Sequence, residues 1–223
     1  LENGTEVTSK TLFELGSTSK AFTALAILKM EKEGIINLDD NTSKYIPWFK
    51  VFYKGNQVQI SINELLHHTS GIPTEIISKI PQGESGDMLE KTVRVVNDLN
   101  LKRLPGEEYE YSTINYDILG LIIEKVSHLS FEEYMQKNIF QALELKYTSV
   151  GTAVKDNFAK GYKISFFSPR EYQAPRYRGN NPAGYVISNG HDMAKWLKYQ
   201  LSIDPNTYED IINKSNLLNL PVT

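Results

Sequence analysis

Cysteine is absent from the 223 residues. That excludes disulfides, a thiol nucleophile, thiolate-held iron–sulfur clusters and cysteine-type zinc sites. Histidine is scarce, with four in the chain. None of them falls in a His-Glu-x-x-His or other zinc spacing, so no metal ligand is assigned and no cofactor is expected. A Gly-rich phosphate loop is missing, which leaves nucleotide chemistry unsupported. Gly-x-Ser-x-Gly is missing too, which disfavours an α/β-hydrolase. Basic charge is not in excess: 24 Lys and Arg face 27 Asp and Glu, for a net charge of −3. No nucleic-acid partner is therefore expected. Long apolar runs are lacking as well. The longest, Ala21 to Met30, is too short to span a bilayer and contains Lys29. The opening Leu1-Glu2-Asn3-Gly4 has neither a basic start nor an apolar h-region, so no signal peptide is read there. With no initiator Met at position 1, the chain is expected to be a processed or excised piece.

What is present suits a folded domain. Hydrophobic residues make up 40% and charged residues 23% of the chain, with 13 Tyr and 9 Phe to build a core and pocket walls. Helical signals dominate. Ser17 to Glu33 is apolar almost all round, which predicts a helix buried on most sides and stopped by Gly34. Ser61-Ile62-Asn63-Glu64 and Ser130-Phe131-Glu132-Glu133 read as capping boxes, the first opening a short helix and the second one that runs through Phe140. Ile118, Leu119, Ile122, Ile123 and Val126 recur at helical spacing and predict an amphipathic helix after Asn115. Met193, Trp196, Leu197 and Leu201 predict a last helix after Asp192. Strand signals are few: Gln57 to Ser61 and Tyr162 to Phe167. Pro81 to Gly86, Leu104-Pro105-Gly106 and Ser168 to Pro182 read as loops. Nothing marks a linker, so residues 1–223 are treated as one domain.

Ser17-Thr18-Ser19-Lys20 is the one Ser-x-x-Lys in the chain. Ser17 begins the buried helix, and Lys20 follows a turn later on the same face. Burial and the positive end of the helix dipole both favour the neutral amine, which could accept the hydroxyl proton of a serine nucleophile. Read in isolation, the same four residues better describe a helix-capping serine and a lysine snorkelling to water. Tyr111, in Tyr111-Ser112-Thr113, is a candidate base or proton relay if it lies near the lysine. By itself it reads as an aromatic at a helix entry. His67-His68 invites a metal or triad reading, but adjacent helical side chains point about 100° apart. His68 is better read as a structural histidine pinning the Ser70-Gly71 turn.

Together these stretches resemble the serine β-lactamase and penicillin-binding-protein superfamily, in its class C and D-aminopeptidase-like branch. The resemblance is carried by Leu12-Phe13-Glu14-Leu15-Gly16-Ser17-Thr18-Ser19-Lys20, Leu65-Leu66-His67-His68-Thr69-Ser70-Gly71-Ile72-Pro73, Pro105-Gly106, Tyr111 to Gly120, and Pro182-Ala183-Gly184-Tyr185, in family order. It implies an α+β fold of β-lactamase/transpeptidase type, represented here mainly by its helical lobe. Ser17 is then implied as the nucleophile that forms an acyl-enzyme, Lys20 as its proton acceptor and Tyr111 as the group that helps deprotonate Ser17 and protonates the leaving group. The Ser17 N–H is implied as one oxyanion donor.

Two departures shape the expected function. Thr113 stands where the family's Tyr-x-Asn motif has Asn. That fits better with peptidases that remove an acyl-D-asparagine leader from nonribosomal prodrugs, such as the colibactin- and zwittermicin-maturing enzymes. These are similar also in Gly161-Tyr162-Lys163, Ala174-Pro175 and Asn180 to Tyr185. Thr113 and Asn180 are then candidates for substrate binding. The family's Lys-Thr-Gly or His-x-Gly strand is also missing, so the sheet is expected to be partly or wholly absent at both ends, opening apolar surface on the nucleophile helix. The resemblance further implies a small peptide or acyl-peptide substrate, an extracytoplasmic location, and a membrane anchor outside this chain. A D,D-carboxypeptidase, β-lactamase or esterase, and a non-catalytic binding domain on the same scaffold, are the competing readings.

Overall fold

The computed structural model describes residues 6–151 and 157–202. The Leu1 to Gly4 stretch read above for a signal peptide lies outside them. In chain order the elements are β1 (Phe13–Glu14), α1 (Ser19–Lys32), α2 (Thr42–Tyr45), β2 (Val51–Tyr53), β3 (Asn56–Val58), α3 (Ile62–Leu66), α4 (Met88–Arg94) and β4 (Leu99–Leu101). They continue with α5 (Ile114–Ser127), α6 (Phe131–Met135), β5 (Ser149–Val150), β6 (Tyr162–Ser165), β7 (Ser168–Glu171), α7 (Asn181–Gly184), β8 (Val186–Ser188) and α8 (Gly190–Ser202). The fold is the expected α+β arrangement: a helical body carrying three small sheets.

Helix α5 is its axis. The stripe of Ile and Leu predicts an amphipathic helix, yet every residue from Ile114 to Ile123 is buried. The reason is that α1, α3, α4, α6 and α7 all pack on it, so no face is left to water. Gly120 makes one of these approaches possible. A Cβ there would lie 2.2 Å from Pro182 Cγ, so only a glycine lets α7 sit against α5. Both capping boxes form as read, Ser61 with Glu64 and Ser130 with Glu133. Past α6 the chain widens into a π-type turn through Gln136–Phe140, which carries Ile139 and Phe140 into the core. Phe22 of α1 stacks on Trp196 of α8 at 4.1 Å and meets Phe140 edge-on at 5.8 Å.

The sheets are slight. β8 lies between β1 and β5, antiparallel to both, in the register Phe13↔Ser188 and Ser149↔Ile187. β2 pairs with β3 as a hairpin and with β4 in parallel. The segment Ser168 to Pro182, read as loop, instead holds β7 and the first half of α7. Pro169 and Pro182 suggest loop, but Pro tolerates an edge strand and a first helical turn, where no N–H is needed. The Gln57 to Ser61 strand is shorter than read and ends at Val58. α4 and β4 were not signalled at all. Asp87 gives α4 no side-chain cap, and the helix is held by burying Met88, Leu89, Thr92 and Val93.

The expected opening of apolar surface on the nucleophile helix does not occur. Phe22, Ala26, Ile27 and Met30 of α1 are buried, and Leu25 and Leu28 are partly covered. Exposed apolar side chains occur elsewhere, among them Phe13 on β1, Leu197 and Leu201 on α8, and the β6–β7 hairpin.

Candidate active site

Ser17 lies in a single 3₁₀ turn, Gly16–Thr18, that leads directly into α1. Gly16 adopts φ +56°, a left-handed conformation that glycine reaches without strain, and it turns the chain from β1 into the helix. The Ser17 hydroxyl faces solvent while Lys20, a turn on, is buried. Lys20 Nζ lies 3.2 Å from Ser17 Oγ and donates to the Ala183 carbonyl at 2.7 Å. Tyr111 comes from the turn before α5 and donates its hydroxyl to Ser17 Oγ at 2.8 Å. Serine, lysine and tyrosine thus form one hydrogen-bonded cluster. Nζ also lies 5.1 Å from the centre of the Tyr111 ring and 5.8 Å from that of Tyr116.

The α1 end is fastened to the segment around α7 by three side-chain hydrogen bonds. Besides Lys20 to Ala183, Thr23 Oγ1 donates to the Pro182 carbonyl at 2.7 Å, and the Val186 N–H donates to Ser19 Oγ at 2.9 Å. Sequence reasoning noted Pro182 to Tyr185 without giving it a task. Its task here is to supply backbone carbonyls to two side chains of the nucleophile helix.

His68 is the structural residue it was read to be. Its backbone is left-handed, at φ +55°. Its side chain is buried, and its Nδ1 accepts the Ser112 N–H at 3.2 Å. Its carbonyl accepts the Glu110 N–H at 2.8 Å, and its ring lies 4.6 Å from that of Tyr111. Both neighbours of Tyr111 in the chain are therefore fixed to one histidine. Burial, with Lys20 nearby, pushes the imidazole down to about 4, so it is neutral at ordinary pH and Nδ1 is free to accept. Asn115 serves the same turn, accepting from Ser70 Oγ at 2.8 Å.

The two tyrosines beside Lys20 are driven apart. Burial raises the Tyr116 phenol well above its ordinary value, and the hydroxyl simply donates to the Leu66 carbonyl at 3.1 Å. Burial would raise Tyr111 too, but hydrogen bonds from Lys20 and Ser17 and the lysine's charge outweigh it, and its phenol falls below the usual value. Divergent neighbours of this kind mark which group can act as a base.

Thr113 and Asn180 lie beside two residues of the site, Tyr111 and Asp117. Thr113 is at the buried N-terminus of α5 and helps to hold the Tyr111 phenol down. It therefore supports the tyrosine. The Asn180 amide nitrogen, oriented by its surroundings, donates to Asp117 Oδ1 at 3.1 Å and Oδ2 at 2.9 Å. Those two contacts are one forked bond from a single amide hydrogen, which leaves the other hydrogen and the carbonyl oxygen for a ligand. Asp117 itself is fully buried. Burial pushes its carboxyl far up, with Lys20 pulling the other way. Its sequence signal was an acid immediately before the Ile118–Val126 apolar stripe. Among the described residues no group of His, Asp and Glu could hold a metal ion.

The β-lactamase family's sequence model matches residues 1–218. The chain belongs to the β-lactamase family. Within the family it is 36% identical over 208 residues to the Protein flp of Staphylococcus aureus strain MW2, covering 92% of this chain and 42% of that protein. The structure of an octameric penicillin-binding protein homologue from Pyrococcus abyssi superposes with a TM-score of 0.73 at 31% identity, over 88% of this chain and 46% of that one. A β-lactamase/D-alanine carboxypeptidase from Pseudomonas syringae superposes with a TM-score of 0.72 at 25% identity, over 91% and 55%. The chain spans less than half the length of the flp proteins it matches.

Proposed function

We propose that this β-lactamase-family chain carries the nucleophile of a serine hydrolase that cleaves an amide through an acyl-enzyme. The single observation that supports this most is the Ser17 Oγ–Tyr111 OH distance of 2.8 Å with Lys20 Nζ against both. Attack begins in the form in which Tyr111 is ionised and accepts from Ser17 instead of donating to it: Ser17 Oγ adds to the substrate carbonyl carbon and its proton passes to that phenolate. Lys20 stabilises that phenolate, and the Ser17 N–H supports the developing oxyanion. The C–N bond then breaks, Tyr111 returns the proton to the leaving amine, and Ser17 holds the acyl group as an ester. Water, losing its proton to Tyr111, releases the acid, and Ser17 Oγ takes the proton back.

The substrate we propose is a peptide amide beside a D-configured residue, and more finely an acyl-D-asparaginyl leader on a nonribosomal prodrug. Thr113 in place of the usual Asn motivates the finer choice. A D,D-carboxypeptidase is the second reading, favoured by the likeness to the Pseudomonas syringae structure. Both substrates belong outside the cytoplasm, and we propose that location. No helix among the described residues is long and apolar enough to cross a membrane.

A fluorophosphonate probe, an N-acyl-D-asparaginyl amide and a D-alanyl-D-alanine peptide test these statements together. The expected result is labelling by the probe and turnover of the D-asparaginyl amide, both lost in Ser17→Ala. Turnover of the D-alanyl peptide alone selects the second reading. Absence of labelling overturns the hydrolase and leaves a binding domain.

A further inference from the structure

The β6–β7 hairpin breaks the ordinary rule of apolar inside, polar outside. Ile164 is 83% exposed, Phe166 is 89% exposed and Phe167 is fully open to solvent. The two phenylalanines form the whole turn, since Ser165 and Ser168 are the last paired residues. Both have left-handed backbones, at φ 50° and 61°. A two-residue turn with positive φ at both positions ordinarily selects Asn and Gly. Here it presents two aromatic rings at the outermost point of the hairpin.

The ladder adds charge in a definite place. Lys163 and Arg170 are direct cross-strand partners, so two cations share one face where like charges repel. No carboxylate lies within ion-pair distance of either among the described residues, whereas nearby Lys160 and Arg176 are paired, with Glu171 and Glu84. Lys163 instead lies over the Tyr172 ring at 4.5 Å. Alternation puts Tyr162 and Ile164 on the opposite face. The hairpin thus has an aromatic tip, a face on which Tyr162 and Ile164 stand beside Pro169 and the Lys160-paired Glu171, and, set back from the tip, a cationic pair with no carboxylate partner among the described residues.

We propose that this hairpin docks the protein on an anionic phospholipid bilayer. Phe166, Phe167 and Ile164 enter the boundary between headgroups and acyl chains, and Lys163 and Arg170 meet lipid phosphates. The chain as a whole is acidic, at net −3, so its general field would not bring it to such a surface. Attraction has to come from this local pair, and retention from the apolar tip. The contact is peripheral and requires no spanning segment. It does not depend on the hydrolase assignment, because none of these residues belongs to the Ser17 cluster.

The test is partition onto large vesicles of phosphatidylcholine with and without one-third phosphatidylglycerol. The protein is expected to bind the anionic vesicles and to be released by salt. Phe166→Ser with Phe167→Ser is expected to weaken partition by about tenfold or more, and Lys163→Glu with Arg170→Glu to abolish the preference for phosphatidylglycerol. An environment-sensitive fluorophore on Phe167→Cys reports the site itself, with the identically treated parent as blank. Its emission is expected to shift to the blue on anionic vesicles and to be quenched by brominated acyl chains. Unchanged emission, or partition unaffected by both double variants, overturns the proposal even if the protein binds through another segment. Burial of the label by a second protein or a second copy, with vesicles inert, also overturns it. Thermal melting of each variant confirms that the fold is retained.

Discussion

The surroundings of Ser17 and the β6–β7 hairpin are inverses of each other. Around Ser17, polar and charged groups are buried: Lys20, Ser19, Thr23, His68 and Asp117 are all largely closed to water. Each has a named partner, whether Ala183, Val186, Pro182, Ser112 or Asn180. On the hairpin, apolar groups are exposed and two cations have no counter-charge among the described residues. Burying a polar group is tolerable only when its hydrogen bonds are met, and exposing aromatics costs free energy unless something covers them. The first region meets these polar groups from within the chain; the second, on the proposal above, is covered only against a surface.

The contrast can be broken most severely at its closed end. Ser17→Ala is expected to abolish probe labelling. Lys20→Ala and Tyr111→Phe are each expected to slow it by about 10²–10⁴-fold, as followed by single-turnover acylation. A merely twofold loss in Tyr111→Phe would demote the tyrosine to a packing role. Acylation is also expected to rise with pH along a limb centred below the ordinary phenol value of about 10, since Tyr111 is shifted down. Lys20→Met is expected to move that limb upward, because the hydrogen bond and positive charge that depress the phenol are gone.

His68 gives a stability prediction of the next size. Its imidazole is held at about 4 in the fold, against about 6.5 in an unfolded chain. Between those values the unfolded state binds the extra proton, so acid favours unfolding. Stability is expected to be unaffected by this group above about pH 7 and to fall as pH drops from 6.5 to 4, by at most about 3 kcal/mol. Urea midpoints across that range, compared with His68→Gln, measure it. A pH dependence identical in the variant would show that other groups carry the effect.

Gly120→Ala probes the packing beneath the site. Its new methyl would meet Pro182, and a loss of about 1–3 kcal/mol is expected. Because Pro182 precedes the carbonyl that holds Lys20, acylation is expected to fall as well. Loss of stability with acylation intact would separate α7 from the chemistry. The smallest effect belongs to the open region: Phe166→Ser with Phe167→Ser is expected to change stability by less than about 0.5 kcal/mol.

Legibility in the sequence follows the same division. The capping boxes at Ser61 and Ser130, the long helices and the Ser17–Lys20–Tyr111 grouping could be read, the first two from local signals and the last from motif order. The clues were short-range or came from resemblance. α4, β2, β4 and β8 could not be read, because segments of three to seven residues owe their form to what they pack against. The contact of Asn180 with Asp117 was hidden for the same reason, since the two lie on separate segments 63 residues apart. Thr113 was placed correctly in the neighbourhood but faces Tyr111. The exposure of Phe166 and Phe167 was hidden too, since a strand signal at Tyr162 to Phe167 does not say what covers it.

The fastening of Ser19, Lys20 and Thr23 to residues 182–186 carries a consequence for biosynthesis. The hydroxyl emerges from the ribosome early, but the carbonyl that orients its amine partner is translated long afterwards. A nascent chain therefore exposes an ordinary serine. On the proposed function, the serine becomes a nucleophile only when the later segment folds back onto the helix, which keeps unfinished chains from being acylated.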